Sequence, residues 1–407
     1  MHILFINQYF YPDRAATAQL LTELCLSLSD NHNISVLCGA PSYNPVEQYK
    51  VEWPFKQENY NGVNVFRVSS TGFSRVNMVG RSLNYISYMT NATISSIFVG
   101  KPDVLVAMTD PPIAGLIGSF MKKRLKIPMV LIVNDLHPDI GVALGKLRSS
   151  LVINSMDKAV KHILKSADHV VAIGHSMQKR ILAKGISNDK ISIIPNWADV
   201  EAIKPQAKIN KFSIKHGLVD HFVVMYSGNI GLGQNLSRVI EAADILKQQK
   251  YIRFIFIGDG AAKSKLKNMV RKKELTNVTF LSYMPKEMLQ YSFSAGDLHL
   301  VPLERRLQGF IVPSKVYGIM AAGRPFLGLV DEDSEVAEIV REFNCGFILD
   351  PDNPELLANT IKKLSKDPHQ LDEIGRRGRE AVVQCYNREL TCERYQKLFF
   401  NITNGKH

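Results

Sequence analysis

Residues 222–235 read Phe-Val-Val-Met-Tyr-Ser-Gly-Asn-Ile-Gly-Leu-Gly-Gln-Asn, and an apolar-periodic stretch follows over 236–248. A short aromatic and β-branched run that breaks into glycine and then takes up a helical period predicts a strand, a turn and a helix. Glycines at such a turn let backbone N–H groups and the positive helix end approach a phosphate with no Cβ in the way. An ordinary βα turn has the same pattern. The order is G-x-x-G-x-G rather than G-x-G-x-x-G, which weakens a nicotinamide-dinucleotide reading.

The same alternation runs outward in both directions. Strands are expected at 253–257, 278–281, 298–301 and 326–330 downstream, and at 2–6, 34–37, 63–68, 104–107, 129–133 and 170–173 upstream. Helix-length amphipathic segments separate them, so the fold class is α/β with two Rossmann-like, doubly wound parallel sheets. Between the first two strands Ala16, Leu20, Leu24 and Leu28 form one helical stripe, with Pro12-Asp13 supplying the turn and a cap. The expected domains are 1–200 and 218–385, joined by a linker over 201–217 where Lys204, Pro205, Lys208 and Lys211 crowd together. A closing helix over 386–407 is expected to return to the first domain. Ligands bind most often in the cleft between two such units.

A length of 407 residues at ~150 per domain fits two good-sized domains. The composition, 45% hydrophobic and 22% charged, excludes disordered and collagen-like classes. A net charge of +12 favours anionic partners. No arginine-rich tail or aromatic-basic motif accompanies it, so no nucleic-acid partner is expected. The five cysteines are odd in number and scattered without C-x-x-C pairs, which suits a reducing cytoplasm and gives no zinc site. Met1 leads directly into a strand, with no secretory signal pattern. The longest uncharged stretch, 82–100, is interrupted by Asn84, Ser87, Asn91, Ser95 and Ser96 and cannot span a bilayer.

Two further segments point to phosphate. The strand at 253–257 ends in Gly258-Asp259-Gly260, a second backbone-permissive turn at the same sheet edge as the first. Residues 313–325 read as a short helix with Ser314 at its start and Gly323 at its end. Lys315 in its first turn opposes the helix dipole, a conflict that a bound phosphate would resolve.

Taken in order, Ile193-Ile194-Pro195-Asn196-Trp197-Ala198-Asp199, Phe256-Ile257-Gly258-Asp259-Gly260, Asn277-Val278-Thr279-Phe280-Leu281 with Tyr283-Met284-Pro285, and the 313–325 segment resemble the retaining GT-B glycosyltransferases of family 4. The resemblance covers essentially the whole chain. The start, Ile6-Asn7-Gln8-Tyr9-Phe10-Tyr11-Pro12-Asp13 with Ala15-Ala16-Thr17-Ala18, and Asn134-Asp135-Leu136-His137-Pro138-Asp139 look most like the subgroup building O-antigen, capsule and colanic-acid-type exopolysaccharides. Some of its members are similar to N-acetyl-fucosaminyl transferases.

The resemblance implies sugar transfer with retention from a nucleotide diphosphate donor, UDP-linked, with no cofactor and no metal. Donor contacts would come from Gly228, Asn229, Gly258, Tyr283, Met284, Ser314, Lys315, Ser334 and Glu335. Phe10, Tyr11, Arg14 and Thr17 would face the acceptor, and Asp135 and His137 would be catalytic groups facing the transferred sugar. The family's paired glutamates would fall at Phe310 and Gly318, and its Arg and Lys at Asn229 and Gln234, none of them charged here. Lys315 is then the best remaining cation, with Arg305 and Arg306 as alternatives, while Glu335 could replace a lost acid. Asp331-Glu332-Asp333 matches a D-x-D metal signature but reads as a solvated helix start.

Retention without an evident carboxylate nucleophile favours front-face attack, with the departing phosphate taking the acceptor's proton and domain closure excluding water. Leu83, Ile86, Ile94 and Ile97, together with Lys122, Lys123, Lys126, Lys158, Lys161 and Lys165, suggest peripheral contact with an anionic membrane. That places the protein in the cytoplasm on the inner face of the membrane, acting on a lipid-diphosphate-linked saccharide. The alternatives are a nucleotide-sugar 2-epimerase of the same fold and a donor-binding scaffold without turnover.

Overall fold

The computed structural model describes residues 1–13, 15–41, 51, 53–73 and 78–405. The chain packs as two units, Met1–Pro195 with Glu389–His407, and Asn196–Arg388.

The first unit holds β1 (His2–Ile6), β2 (Asn33–Gly39), β3 (Phe55–Tyr60), β4 (Val63–Val68), β5 (Val104–Met108), β6 (Met129–Val133), β7 (His169–Ala172) and β8 (Ile191–Ile193). They lie in the order β3-β4-β2-β1-β5-β6-β7-β8. The described pairings are parallel except β3 with β4. Every residue of β5 and β6 is buried, which is why their runs are continuously apolar rather than alternating. β3, Phe-Lys-Gln-Glu-Asn-Tyr, is a polar edge strand that the hydrophobic pattern does not reveal. It returns into β4 through Asn61 (φ 47°) and Gly62 (φ 88°), the paired left-handed residues of a tight hairpin.

The expected helix forms over Ala16–Ser29, but of the expected stripe only Leu24 and Leu28 are buried; Ala16 is exposed and Leu20 half-buried, and the buried face is completed by Ala18, Leu21 and Cys25. Its cap differs from expectation. The N-cap is Ala15 with no side-chain hydrogen bond, and the Asp13 N–H instead closes a turn onto the Phe10 carbonyl at 3.0 Å.

In the second unit β9 (Phe222–Ser227), β10 (Ile252–Ile257), β11 (Val278–Leu281), β12 (Leu298–Pro302), β13 (Phe326–Leu329) and β14 (Gly346–Leu349) lie in the order β11-β10-β9-β12-β13-β14, all parallel. Residues read as a linker are part of this unit. Lys211–Lys215 is helical, with Asn210 and Ser213 forming a reciprocal capping box, and Phe212 is buried with Val223, Met225 and Ile255. A basic, proline-containing composition concealed this packing because within 201–217 Phe212 is the one buried apolar residue.

The last helix, Arg388–Thr403, lays Tyr395, Phe399 and Ile402 on the first unit. Phe399 is fully buried, edge-on to Phe5 at 6.2 Å, and Gln396 meets His32 at 3.0 Å. Truncating Phe399 to alanine leaves a cavity under β1, so F399A should cost about 3–5 kcal/mol in denaturant unfolding. A loss below about 1 kcal/mol would contradict this docking.

Candidate active site

In a doubly wound sheet the strand order reverses at one point, and the loops leaving the carboxyl ends there diverge to open a crevice. In the second unit that point lies between β9 and β12. The turn after β9 carries Gly228 (φ 137°), and the turn after β10 carries Gly258 (φ 143°) and Gly260 (φ 153°). Hydrogen bonds lock the two turns together, Gly228 N–H to the Ile257 carbonyl at 2.9 Å and Ile230 N–H to the Asp259 carbonyl at 2.8 Å. A Cβ on Gly258 would lie 1.9 Å from the Gly228 oxygen, and one on Gly260 2.4 Å from the Ile230 oxygen. These glycines are required by backbone proximity as well as by φ.

Lys315 opens the helix Lys315–Ala321 and reaches back to this edge. Its ammonium lies 3.8 Å from the centroid of the Tyr226 ring, and a Cβ on Gly228 would sit 3.4 Å from it. The ammonium is buried and makes no hydrogen bond among the described residues. Burial draws its pKa down to about 7. Tyr226 is itself buried and donates its hydroxyl to the Asn229 carbonyl at 2.6 Å, fixing the ring beneath the lysine.

The other expected donor residues divide. Tyr283 is exposed beside the glycine turn, with its hydroxyl 3.4 Å from the Asp259 carbonyl, while Met284 packs partly against the core. Ser314 precedes the helix without capping it through its side chain. Ser334 caps the helix Glu335–Phe343 by accepting from the Ala337 N–H at 3.2 Å. Glu335 is buried, and its charge raises the phenols of Tyr317 and Tyr386 further above their ordinary range, where burial has already pushed them. Of the alternative cations, Arg305 is held by Asp331 (3.3 Å), Asp350 (3.1 Å) and Asp352 (3.6 Å), and Arg306 by Glu304 (2.8 Å). Asp331, the first residue of the D-x-D sequence, therefore faces an arginine.

In the first unit the reversal lies between β1 and β5. Gln8 N–H donates to the Asp110 carbonyl at 2.8 Å, and the Thr17 hydroxyl to Asp110 Oδ2 at 2.7 Å. Thr109 Oγ1 accepts from the N–H groups of Asn134 and Asp135, both at 3.2 Å, bringing the end of β6 to the same edge. Desolvation, reinforced by the Asp110 charge, pushes Asp135 up to about 7. Asp135 and His137 together line a small cavity with Thr109, Val133, Gly115 and Ile163.

Phe10 is buried, whereas Tyr11 is 38% exposed and stacks on Tyr60 at 4.2 Å. Arg14 lies outside the described residues. Fully buried Arg67 holds this corner, donating from Nη2 to the Tyr11 carbonyl at 2.6 Å and pairing its Nε with Glu58 at 2.6 Å. Asp110, Tyr60, Arg67 and Tyr226 escape a linear reading. Asp110 could have been found as the polar residue just past a buried strand, once the strand order was known.

Comparison with known proteins accords with this architecture. Residues 16–197 match the family model described as "Glycosyl transferase 4-like domain", and 208–381 that described as "Glycosyl transferases group 1". WbjE of Pseudomonas aeruginosa, named a probable glycosyltransferase, is 27% identical over 72% of this chain and 74% of its own. WcaI of Escherichia coli (strain K12), whose name assigns it to colanic acid biosynthesis as a glycosyl transferase, is 25% identical over 89% and 92%. Among solved structures, Anabaena HepE in complex with UDP and glucose aligns with a TM-score of 0.73 at 16% identity, covering 97% of this chain and 98% of that one. Sucrose-phosphate synthase from Thermosynechococcus elongatus aligns with a TM-score of 0.79 at 16% identity over the whole of both chains.

Gly258→Ala should destabilise the second unit by about 3 kcal/mol or more, through clash and disfavoured φ together, as read from the denaturation midpoint. A variant as stable as the parent would contradict the close approach of the two turns. Two Rossmann-like units matched across most of their length by these two models identify the chain as a GT-B glycosyltransferase of the group 1 and family 4-like kind.

Proposed function

We propose that this enzyme transfers a sugar, with retention and without a metal, from a UDP-linked donor to a lipid-diphosphate-linked saccharide in surface polysaccharide synthesis. The observation that carries the reading is the pair of glycine turns at the second sheet's reversal, with an unpartnered ammonium against them. The bound UDP in HepE and the name of WcaI, which links it to colanic acid biosynthesis, support the donor and pathway class.

Cleaving the anomeric C–O bond leaves negative charge on the terminal phosphate and positive charge on the sugar. Preformed N–H donors and the Lys315 ammonium lower the barrier by stabilising that phosphate. The phosphate then accepts the acceptor hydroxyl's proton on the same face of the sugar. Asp135 and His137 face the transferred sugar, with Tyr11 and Thr17 on the acceptor side. In this reading Phe10 acts by shaping the core beneath Tyr11, and Ser334 by capping the helix that carries Glu335.

UDP should raise the melting temperature, and a matching UDP-sugar should release UDP faster when acceptor is supplied. Asp135→Asn should lower turnover roughly 100-fold while UDP affinity is retained. Unchanged turnover would remove Asp135 from the reaction, and release of UDP without any acceptor dependence would remove transfer.

We extend the proposal to peripheral membrane contact, a reading supported by the helix Met78–Ser95 and what succeeds it. Val79, Leu83, Ile86, Ile97 and Phe98 are exposed, and the Arg124 guanidinium lies 3.4 Å from the Ile97 carbonyl. Of the expected surface, Lys122 pairs with Asp168 at 2.7 Å, Lys161 pairs with Asp157 at 2.8 Å, and Ile94 is half-buried. No helix among the described residues is long and apolar enough to cross a membrane. An apolar ridge with basic flanks suits an anionic bilayer face, where each nearby cation adds about 1 kcal/mol. Leu83→Ser with Ile86→Ser, or Lys123→Glu with Lys126→Glu, should reduce sedimentation with phosphatidylglycerol vesicles severalfold. Unaltered sedimentation would exclude this face.

A further inference from the structure

The Lys315 ammonium is buried, has no hydrogen-bond partner among the described residues and rests on an aromatic face. A permanently charged group so placed would forfeit hydration that one cation–π contact does not restore. Among the described residues the surroundings offer it no counter-ion. Beneath it the Tyr226 hydroxyl is spent on the Asn229 carbonyl, and burial holds that phenol far above neutrality. On the neighbouring turn Asp259 is engaged by the Gly260 N–H at 2.8 Å and by Lys263 at 3.3 Å, and Lys263 also donates to the Gly258 carbonyl at 2.7 Å. Tyr283 is turned to the Asp259 carbonyl. None of these charges contributes to the state of Lys315, which desolvation alone draws down to about 7. Gly228, on the adjacent turn, sets no Cβ beside the ammonium, where one would lie 3.4 Å from it.

We propose that Lys315 is stowed uncharged on the Tyr226 ring in the free enzyme, and that the donor's diphosphate draws it off the ring with uptake of one proton from solvent. This rests on reading the Gly228–Gly258 edge as the diphosphate site. The consequence is a donor site whose affinity depends on pH through one residue. The lysine's pKa is raised on binding, so affinity is full below about pH 7 and falls as pH climbs toward the bound-state value. A terminal phosphate, with a second pKa of ~6, is already ionised above pH 7 and does not contribute this dependence.

The test is calorimetric titration of UDP, with GDP as a second probe, into the full-length protein near pH 8 in HEPES and in Tris, whose ionisation enthalpies differ. The observed enthalpy should shift between buffers by an amount corresponding to nearly one proton taken up. From about pH 7.5 to 9 the UDP affinity should fall roughly tenfold per unit. Lys315→Arg, charged throughout this range, should bind UDP with no buffer-dependent enthalpy and a flat pH profile. UDP binding by the parent protein with no proton uptake would overturn the stowed lysine and leave the donor-site reading standing. Uptake that persists in Lys315→Arg would also overturn it, because another group would be taking the proton. Failure of both UDP and GDP to bind would overturn the donor-site reading and the proposal with it.

Discussion

The second unit is organised around a contact between two backbones. The turns after β9 and β10 approach so closely that the Gly258 position tolerates no side chain, since its Cβ would fall 1.9 Å from the Gly228 oxygen. Four polypeptide groups saturate one another across that contact, and the Ala262 N–H adds a further bond to the Ile230 carbonyl at 3.0 Å. A sheet edge that would otherwise be covered by side chains is thereby left as bare backbone. Such an edge can be approached closely by an anion.

Charge at this edge is arranged by subtraction. The chain carries a net charge of +12, yet the two arginines that the sequence offers as alternative cations are neutralised, Arg305 by three aspartates and Arg306 by Glu304. Lys263 is occupied by the Gly258 carbonyl and Asp259. Among the described residues around the turns, Lys315 alone is left with an ammonium that nothing satisfies. A charge there would be costly, and nothing in the packing described around it supplies a partner to offset that cost.

The first unit solves a related problem with side chains in place of bare backbone. Its reversal point gathers Thr17, Asp110 and Asp135 from three different segments, and a buried guanidinium, Arg67, ties the Tyr11 carbonyl to the edge hairpin. The hairpin is thus more than a blunted sheet edge. It supplies Glu58 as the counter-ion of Arg67 and Tyr60 as the ring beneath Tyr11. Anchoring an exposed aromatic in this way limits the rotamers it must give up on meeting a ligand.

The linear order of residues was enough to determine the two α/β units, the glycine turns and the place of Lys315 at the start of a helix, because continuous apolar runs, helical periods and glycine placement are local consequences of burial and backbone geometry. The Asn61-Gly62 pair was equally local, though its polar strand hid the hairpin. Strand order, by contrast, is a property of the assembled sheet. It was needed to bring Asp110 to Asp135, to show that Lys122 and Arg305 are spent on aspartates far along the chain, and to set Tyr226 under Lys315. Whether a charged side chain is free or neutralised depends on partners separated by tens to hundreds of residues, and only the folded structure decides which of them meet.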